Sequence, residues 1–357
     1  MAAIVVGFGL HHFNLLCTGA IDINDLRHDT HQNGPDPASG DNQDMSDGTR
    51  LTHLFRALYI ATAIRGIDTR YEIKNLANRP KPSARLSRST FLVQNLAIIA
   101  AEYLVLDLMF YKPLTPEDSK RLFPEGSEYL FFRPGNLGLP PATAQDALKN
   151  LAIAFFACGP TGTWYIELQY RVVSVISVAL GISTPQRWPN LFGSITETYT
   201  LRQFWGTYWH QLFRWPMTNI SSYICRTILR LPRPSLLERY TNILVVFIIS
   251  AFLHAAMDAR AGFWPPKSGA FRCFLLHPVG IMIEDAVQEI HRRVQCKDTE
   301  NSSSRPKSWQ RIIGYVWVWG FMMCVMALYT FPLLRYQNAA KNGVPVSVVK
   351  LVEDWVA

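Results

Sequence analysis

Five apolar segments, at 91–111, 148–180, 242–257, 271–290 and 312–334, constrain this chain more than any motif in it. Crossing the hydrocarbon core of a bilayer takes roughly 20 predominantly apolar residues in a helix, and the segments run near that length. Long polar loops separate them. Mean hydropathy is therefore only +0.06 although 49% of the residues are hydrophobic. Charged residues make up 17%, below the quarter or so usual in soluble domains. The pattern predicts an all-α protein, a polytopic transmembrane helical bundle joined by basic loops.

The loops carry the topology. Alternating the spans places 19 Lys and Arg in one set (65–90, 183–240 and 291–308) and 9 in the other (112–146, 258–269 and 335–357). By the positive-inside bias the first set is cytosolic. The net charge of +8 is spread over these loops rather than gathered in one patch, which argues against a nucleic-acid partner. The six cysteines show no metal-ligand spacing, so neither a zinc site nor a disulfide framework is expected. Residues 1–50 read as a separate region. An apolar segment at 1–16 precedes an acidic stretch at 22–50, whose seven aspartates accompany almost nothing apolar; it is expected to be a disordered loop. Residues 51–357 form the membrane domain, starting with an amphipathic segment at 51–67 and closing with another at 344–355. The segment 148–180 contains Gly159-Pro160 and Glu167, so it is either kinked or one long tilted helix.

Two places concentrate chemistry. The first is LRQFWGTYWHQLFRW at 201–215, where six aromatic residues surround His210 and Arg202 and Arg214 bracket them. It is too polar for a span and too apolar for a solvated loop, which suits a short re-entrant or interfacial helix. The alternative is an aromatic interface belt with an incidental histidine. The second is His254 in FIISAFLHAAMD, near the end of a strongly apolar helix. An ionisable residue at membrane depth is a functional candidate, and burial favours the neutral ring that can accept a proton. Its bland counterpart is a core histidine bonded to a backbone carbonyl.

Asp258 lies one helical turn beyond His254, within reach to orient it, although a helix-end or interfacial carboxylate is the better reading. Glu284-Asp285 suggest acid/base work or a cation path, with a structural role preferred. His277, before Pro278, and His291, beside Arg292-Arg293, read as helix-end or surface residues. No GxSxG elbow, Walker sequence or HExxH is present, and no activated Ser or Cys stands out.

IRGIDTRYEIKN at 64–75, QFWGTYWHQLFR at 203–214 and the histidine of FIISAFLHAAMD at 247–258 occur in the order found in a known family. With them the chain resembles the wax synthase-like branch of the membrane-bound O-acyltransferases, and more narrowly the fungal enzymes that acetylate terpenoid and meroterpenoid alcohols. The similarity runs from about residue 50 to the C-terminus, which makes 51–357 the membrane acyltransferase domain. Ala255 stands where wax synthases tend to have Glu, and Gly66-Ile67-Asp68 where the family usually has Gly-Ile-Gly. The resemblance implies acyl transfer from acyl-CoA, here acetyl-CoA as co-substrate, to a hydroxyl of a hydrophobic alcohol. The enzyme would hold no bound cofactor or metal and lie multi-pass in the endoplasmic reticulum. It matches His254 to the family's buried histidine and His210 to the polar member of the aromatic block. In chemical terms His254 would serve as base and His210 as oxyanion donor, with Arg202 and Arg214 meeting CoA phosphates and Trp205 and its neighbours shaping the pocket. The competing expectations are a long-chain alcohol acyltransferase (a wax synthase) and, from another class, a polytopic transporter with His254 and Glu284 along its path. The absence of pseudo-symmetric halves argues against a transporter.

Overall fold

A computed structural model describes residues 10–12, 14–15, 65–67, 72–73, 76, 86–112, 114–130, 143–263, 267–295, 306–336 and 344–356. Among them every regular element is helical. The acidic stretch at 22–50 and nearly all of the amphipathic segment at 51–67 lie outside the described residues. Two compact units emerge, one of residues 1–76 with 210–246 and one of 77–209 with 247–357.

In the larger unit, α1 (Arg88–Phe110) begins where the Ser87 hydroxyl accepts from Thr90 N–H. The short α2 (Pro116–Leu122) starts at Thr115 in the same way, with Pro116 in the first turn, where its missing N–H costs nothing. A reciprocal Thr143–Asp146 capping box opens α3 (Ala144–Phe156). The apolar run then changes its helical winding. Pro160 sits in a π-turn, Ala157–Thr161, from which α4 (Gly162–Ala179) continues. Proline supplies no N–H to the helical ladder, and the Thr163 hydroxyl bonds the Gly159 carbonyl at 2.7 Å. The segment is thus helical from Ala144 to Ala179, with the π-turn at Gly159-Pro160 inside it.

Helices α1 and α4 pack side by side and are tied by polar groups. Arg171 bonds Asn95 Oδ1 at 2.7 Å, ion-pairs with Glu167 and reaches Glu102 at 3.6 Å. Three further long helices follow: α7 (Leu236–Arg260), α8 (Ala270–Gln295) and α9 (Ser308–Tyr336). Helices α1, α7 and α9 are long and apolar enough to cross a membrane. Their outward faces carry Val93, Leu96, Leu108, Leu244, Phe252, Ile312 and Val316 exposed. A soluble bundle would hide that surface; a lipid-facing one keeps it outside. The predicted spans at 148–180 and 271–290 are helical too, the first in two pieces.

The inner face of α9 meets α2 and α3 around Phe123, Leu130, Ala154, Ala327 and Phe331, with the Phe123 and Phe331 rings edge to face at 5.3 Å. Beside them Arg335 is almost fully buried. It pairs with Glu128 at 2.6 Å and donates to the carbonyls of Phe123 and Pro124. At the C-terminus α10 (Val348–Val356) is tied to α1, for Val349 N–H donates to Asp107 and Tyr103 hydroxyl to the Val346 carbonyl. Its apolar residues Leu351, Val352, Trp355 and Val356 are exposed.

In the smaller unit, α6 (Arg214–Tyr223) runs into a second π-turn, Ile224–Ile228. His11 is fully enclosed and packs edge-on against Trp215 at 5.2 Å. Ser221 bonds Asn242, and Arg226 pairs with Glu238 at 3.1 Å. Gly66 adopts a positive φ of 59°, and Ile73 N–H closes back on the Arg65 carbonyl at 3.3 Å.

Removing one partner of a buried ion pair strands the other charge. Glu128→Ala is therefore expected to destabilise the protein by on the order of 3 kcal/mol, read as a lowered thermal transition of the detergent-solubilised protein. A surface control, Glu353→Ala, should leave that transition in place.

Candidate active site

The aromatic segment departs from the expected single helix. Thr200 caps a short turn, α5 (Leu201–Gln203), by accepting from Gln203 N–H at 3.0 Å. The chain widens at once into a third π-turn, Phe204–Tyr208, and leaves the helix at Trp209, whose ψ of 147° is extended. Two contacts explain the break. The Tyr208 carbonyl accepts from Gly193 N–H at 2.9 Å, drawing the backbone aside. The Trp209 ring also stacks on Phe204 at 5.7 Å and 17°; on an α-helix, residues five apart point about 140° away from each other. Gly193 makes the approach possible, because a Cβ there would stand 2.2 Å from the Thr207 carbonyl oxygen.

Helix α8 holds this segment through its two adjacent carboxylates. Glu284 accepts from Leu201 N–H at 2.7 Å and from Trp317 Nε1 at 3.0 Å. Asp285 grips Arg202 with both oxygens, at Nε (2.7 Å) and Nη2. Glu284 and Asp285 are thus structural ties, the preferred of the sequence readings. Trp205 lands on His277, ring centroids 4.7 Å apart, and on Phe247 at 5.3 Å.

His277 corrects the sequence reading. It is neither a helix-end nor a surface residue but is fully enclosed within α8, ringed by Trp205, Phe247, Phe274 and Phe321, with Cys273 Sγ 3.8 Å from Nε2. Pro278 biased the reading toward a boundary. The helix continues through it, as helices packed among other helices in a membrane tolerate. His291 is partly buried and bonds Gln310 at 2.9 Å.

His254 lies on α7, two turns beyond Phe247, which meets Trp205, and nearly one turn past Ala251, which is fully buried. Its Nδ1 is 2.8 Å from the Ser250 carbonyl oxygen. A carbonyl can only accept, so Nδ1 carries the proton and Nε2 keeps its lone pair. Phe274 lies over the ring at 4.2 Å and 33°, and Tyr329 stands perpendicular to it at 5.5 Å. Asp258 does not bond His254. It is buried, takes the Tyr329 hydroxyl at 3.0 Å, and accepts from Ser268 with its other oxygen. Asp258 lies in the last turn of α7, the helix-end position expected from the sequence, but its carboxylate is buried there between Ser268 and Tyr329.

In the other unit, His210 is half-buried with Phe213 edge-on at 6.0 Å. Arg214 donates to Gln211 Oε1 at 2.9 Å, and burial lowers its pKa from the usual arginine value.

The sequence profile of the membrane bound O-acyl transferase family matches residues 188–276, which hold the aromatic segment, α6, α7 with His254, and the first turns of α8. Among known proteins, the acetyltransferase ataH of Aspergillus terreus is 54% identical, over 83% of this chain and 95% of its own. Acetyltransferase pyr8 of Aspergillus fumigatus is 40% identical, over 84% of this chain and 68% of its own. Acetyltransferase TRI7 of Fusarium sporotrichioides is 36% identical, over 83% and 67%. No solved structure matches the chain. The chain belongs to the membrane bound O-acyl transferase family. It is an O-acyltransferase and a membrane protein.

The Arg202–Asp285 clamp separates two roles for Arg202. As a tie, Arg202→Lys and Asp285→Asn should each cost about 1–3 kcal/mol of stability and leave the KM for acyl-CoA unchanged. A KM raised in Arg202→Lys alone would instead mark Arg202 as a CoA contact.

Proposed function

We propose that the enzyme moves an acetyl group from acetyl-CoA to a hydroxyl of a hydrophobic terpenoid or meroterpenoid alcohol, with His254 as general base. The observation that carries the base assignment is the Nδ1–H bond to the Ser250 carbonyl, which leaves Nε2 the proton acceptor. The acetyl group is supported by the names of the three relatives, each an acetyltransferase; the alcohol class follows from the family resemblance of the three motifs.

As the alcohol oxygen attacks the thioester carbonyl, its proton passes to Nε2. The tetrahedral intermediate collapses with release of CoA thiolate, which takes that proton back from the imidazolium. The products are the acetyl ester and CoA thiol. His210 is assigned to the developing oxyanion, and Arg214 to a CoA phosphate. Arg202 is assigned first to holding the aromatic turn, since its guanidinium is already paired with Asp285. Trp205, seated on His277 and Phe247, forms part of the pocket wall. The enzyme works as a multi-pass protein of the endoplasmic reticulum. Family membership leaves the transporter reading unsupported.

The test uses microsomes bearing wild type or His254→Ala, with labelled acetyl-CoA and a panel of hydroxylated terpenoids. Loss of a general base should slow ester formation by about 10²–10⁴-fold. Ester made by His254→Ala at the wild-type rate and equal abundance would remove His254 from the chemistry. Preference for a long-chain acyl-CoA would replace the acetyltransferase reading with a wax synthase.

A further inference from the structure

The bond to Ser250 decides which nitrogen of His254 is basic, but one hydrogen bond leaves the ring able to swing about it. Two aromatic rings confine it, and they differ in kind. Phe274, on α8, makes an apolar contact at 4.2 Å. Tyr329, on α9, stands at 89° to the imidazole and carries a hydroxyl fixed elsewhere, donated to Asp258 Oδ1 at 3.0 Å. Asp258 lies on α7, four residues after His254. Its second oxygen accepts from the Ser268 hydroxyl, whose oxygen in turn accepts from Ala270 N–H, at 3.2 Å, at the first residue of α8. One buried carboxylate therefore joins the helix that carries the histidine to the helices that carry both flanking rings.

The backbone is shaped for this meeting. Gly269 lets the start of α8 lie against α9, since a Cβ there would stand 1.7 Å from the Leu328 carbonyl oxygen and 3.0 Å from Tyr329 Cα. Both hydroxyls of the cluster donate within it, to the two oxygens of Asp258.

We propose that Tyr329, latched by Asp258, is a positioning residue for His254, holding the imidazole at the angle from which Nε2 meets the alcohol. The latch rests on the reading of His254 as base. Asp258 and Tyr329 touch no reacting atom in it; they act through the ring contact alone.

The experiment compares purified wild type, Tyr329→Phe, Asp258→Ala, Asp258→Asn and the Tyr329→Phe/Asp258→Ala double variant in lipid nanodiscs, normalised to folded protein. Tyr329→Phe keeps the ring and removes the latch, and should lower kcat about tenfold, less than the roughly 10²-fold that a 1 Å misplacement of a reacting group can cost. The KM values for acetyl-CoA and for the alcohol should stay within about twofold, as expected when only the transition state is affected. Asp258→Ala should match that loss, the double variant should be no slower than the slower single, and Asp258→Asn, which still accepts from the Tyr329 hydroxyl, should recover most of the rate. The latch is overturned by wild-type kcat in Tyr329→Phe, by independent multiplicative losses in the double variant, or by a rise in KM without a fall in kcat. His254→Ala runs alongside. If it is inactive while Tyr329→Phe is fully active, the latch alone fails; if His254→Ala is itself active, the base reading fails and the latch with it.

Discussion

In a hydrocarbon solvent, apolar side chains gain little by leaving lipid for one another, so helices there are held by close packing and by polar groups with nowhere else to go. This protein follows that constraint. Buried or half-buried carboxylates occur at several junctions between the described elements. Glu102 and Glu167 meet Arg171 between α1 and α4, Glu128 meets Arg335 beside the Phe123–Phe331 pair, and Glu284 and Asp285 grip the aromatic segment. Asp258 closes the junction of α7, α8 and α9. Each tie is worth little more than its desolvation cost in a soluble core. Here each one specifies which helix lies against which.

The sites follow from these ties. Trp205 is delivered to His277 and Phe247 because the turn before it is clamped at two points, Leu201 N–H and the Arg202 guanidinium. His254 depends on its own helix for its tautomer and on neighbouring helices for the direction of its ring. Position and chemical state are thus supplied by different levels of structure.

What was legible in the sequence divides along the same line. Helices appear where apolar residues run to membrane length, and His254 stands out because an imidazole in such a run is costly without a reason. The i to i−4 bond to Ser250 is local, and so within reach of sequence reasoning. The break at Trp209 was not legible, since it depends on Gly193 passing beneath Thr207 from another part of the chain. His277 was hidden by Pro278, whose local rule yields to packing on all sides. Asp258 is legible as a helix-end residue but not as a buried one, because its partners, Ser268 and Tyr329, are 10 and 71 residues away.

The π-turn at Ala157–Thr161 has a geometric consequence of its own. Such a turn amounts to one residue inserted in an α-helix, and each residue advances the helix by about 100°. Everything in α4 is therefore rotated relative to what an uninterrupted continuation of α3 would give. The face that turns Arg171 toward Asn95 and Glu102 owes its direction to that single surplus residue. A one-residue deletion there could restore a regular helix and still aim the guanidinium at lipid. For this segment, the number of residues before the arginine matters as much as the arginine itself.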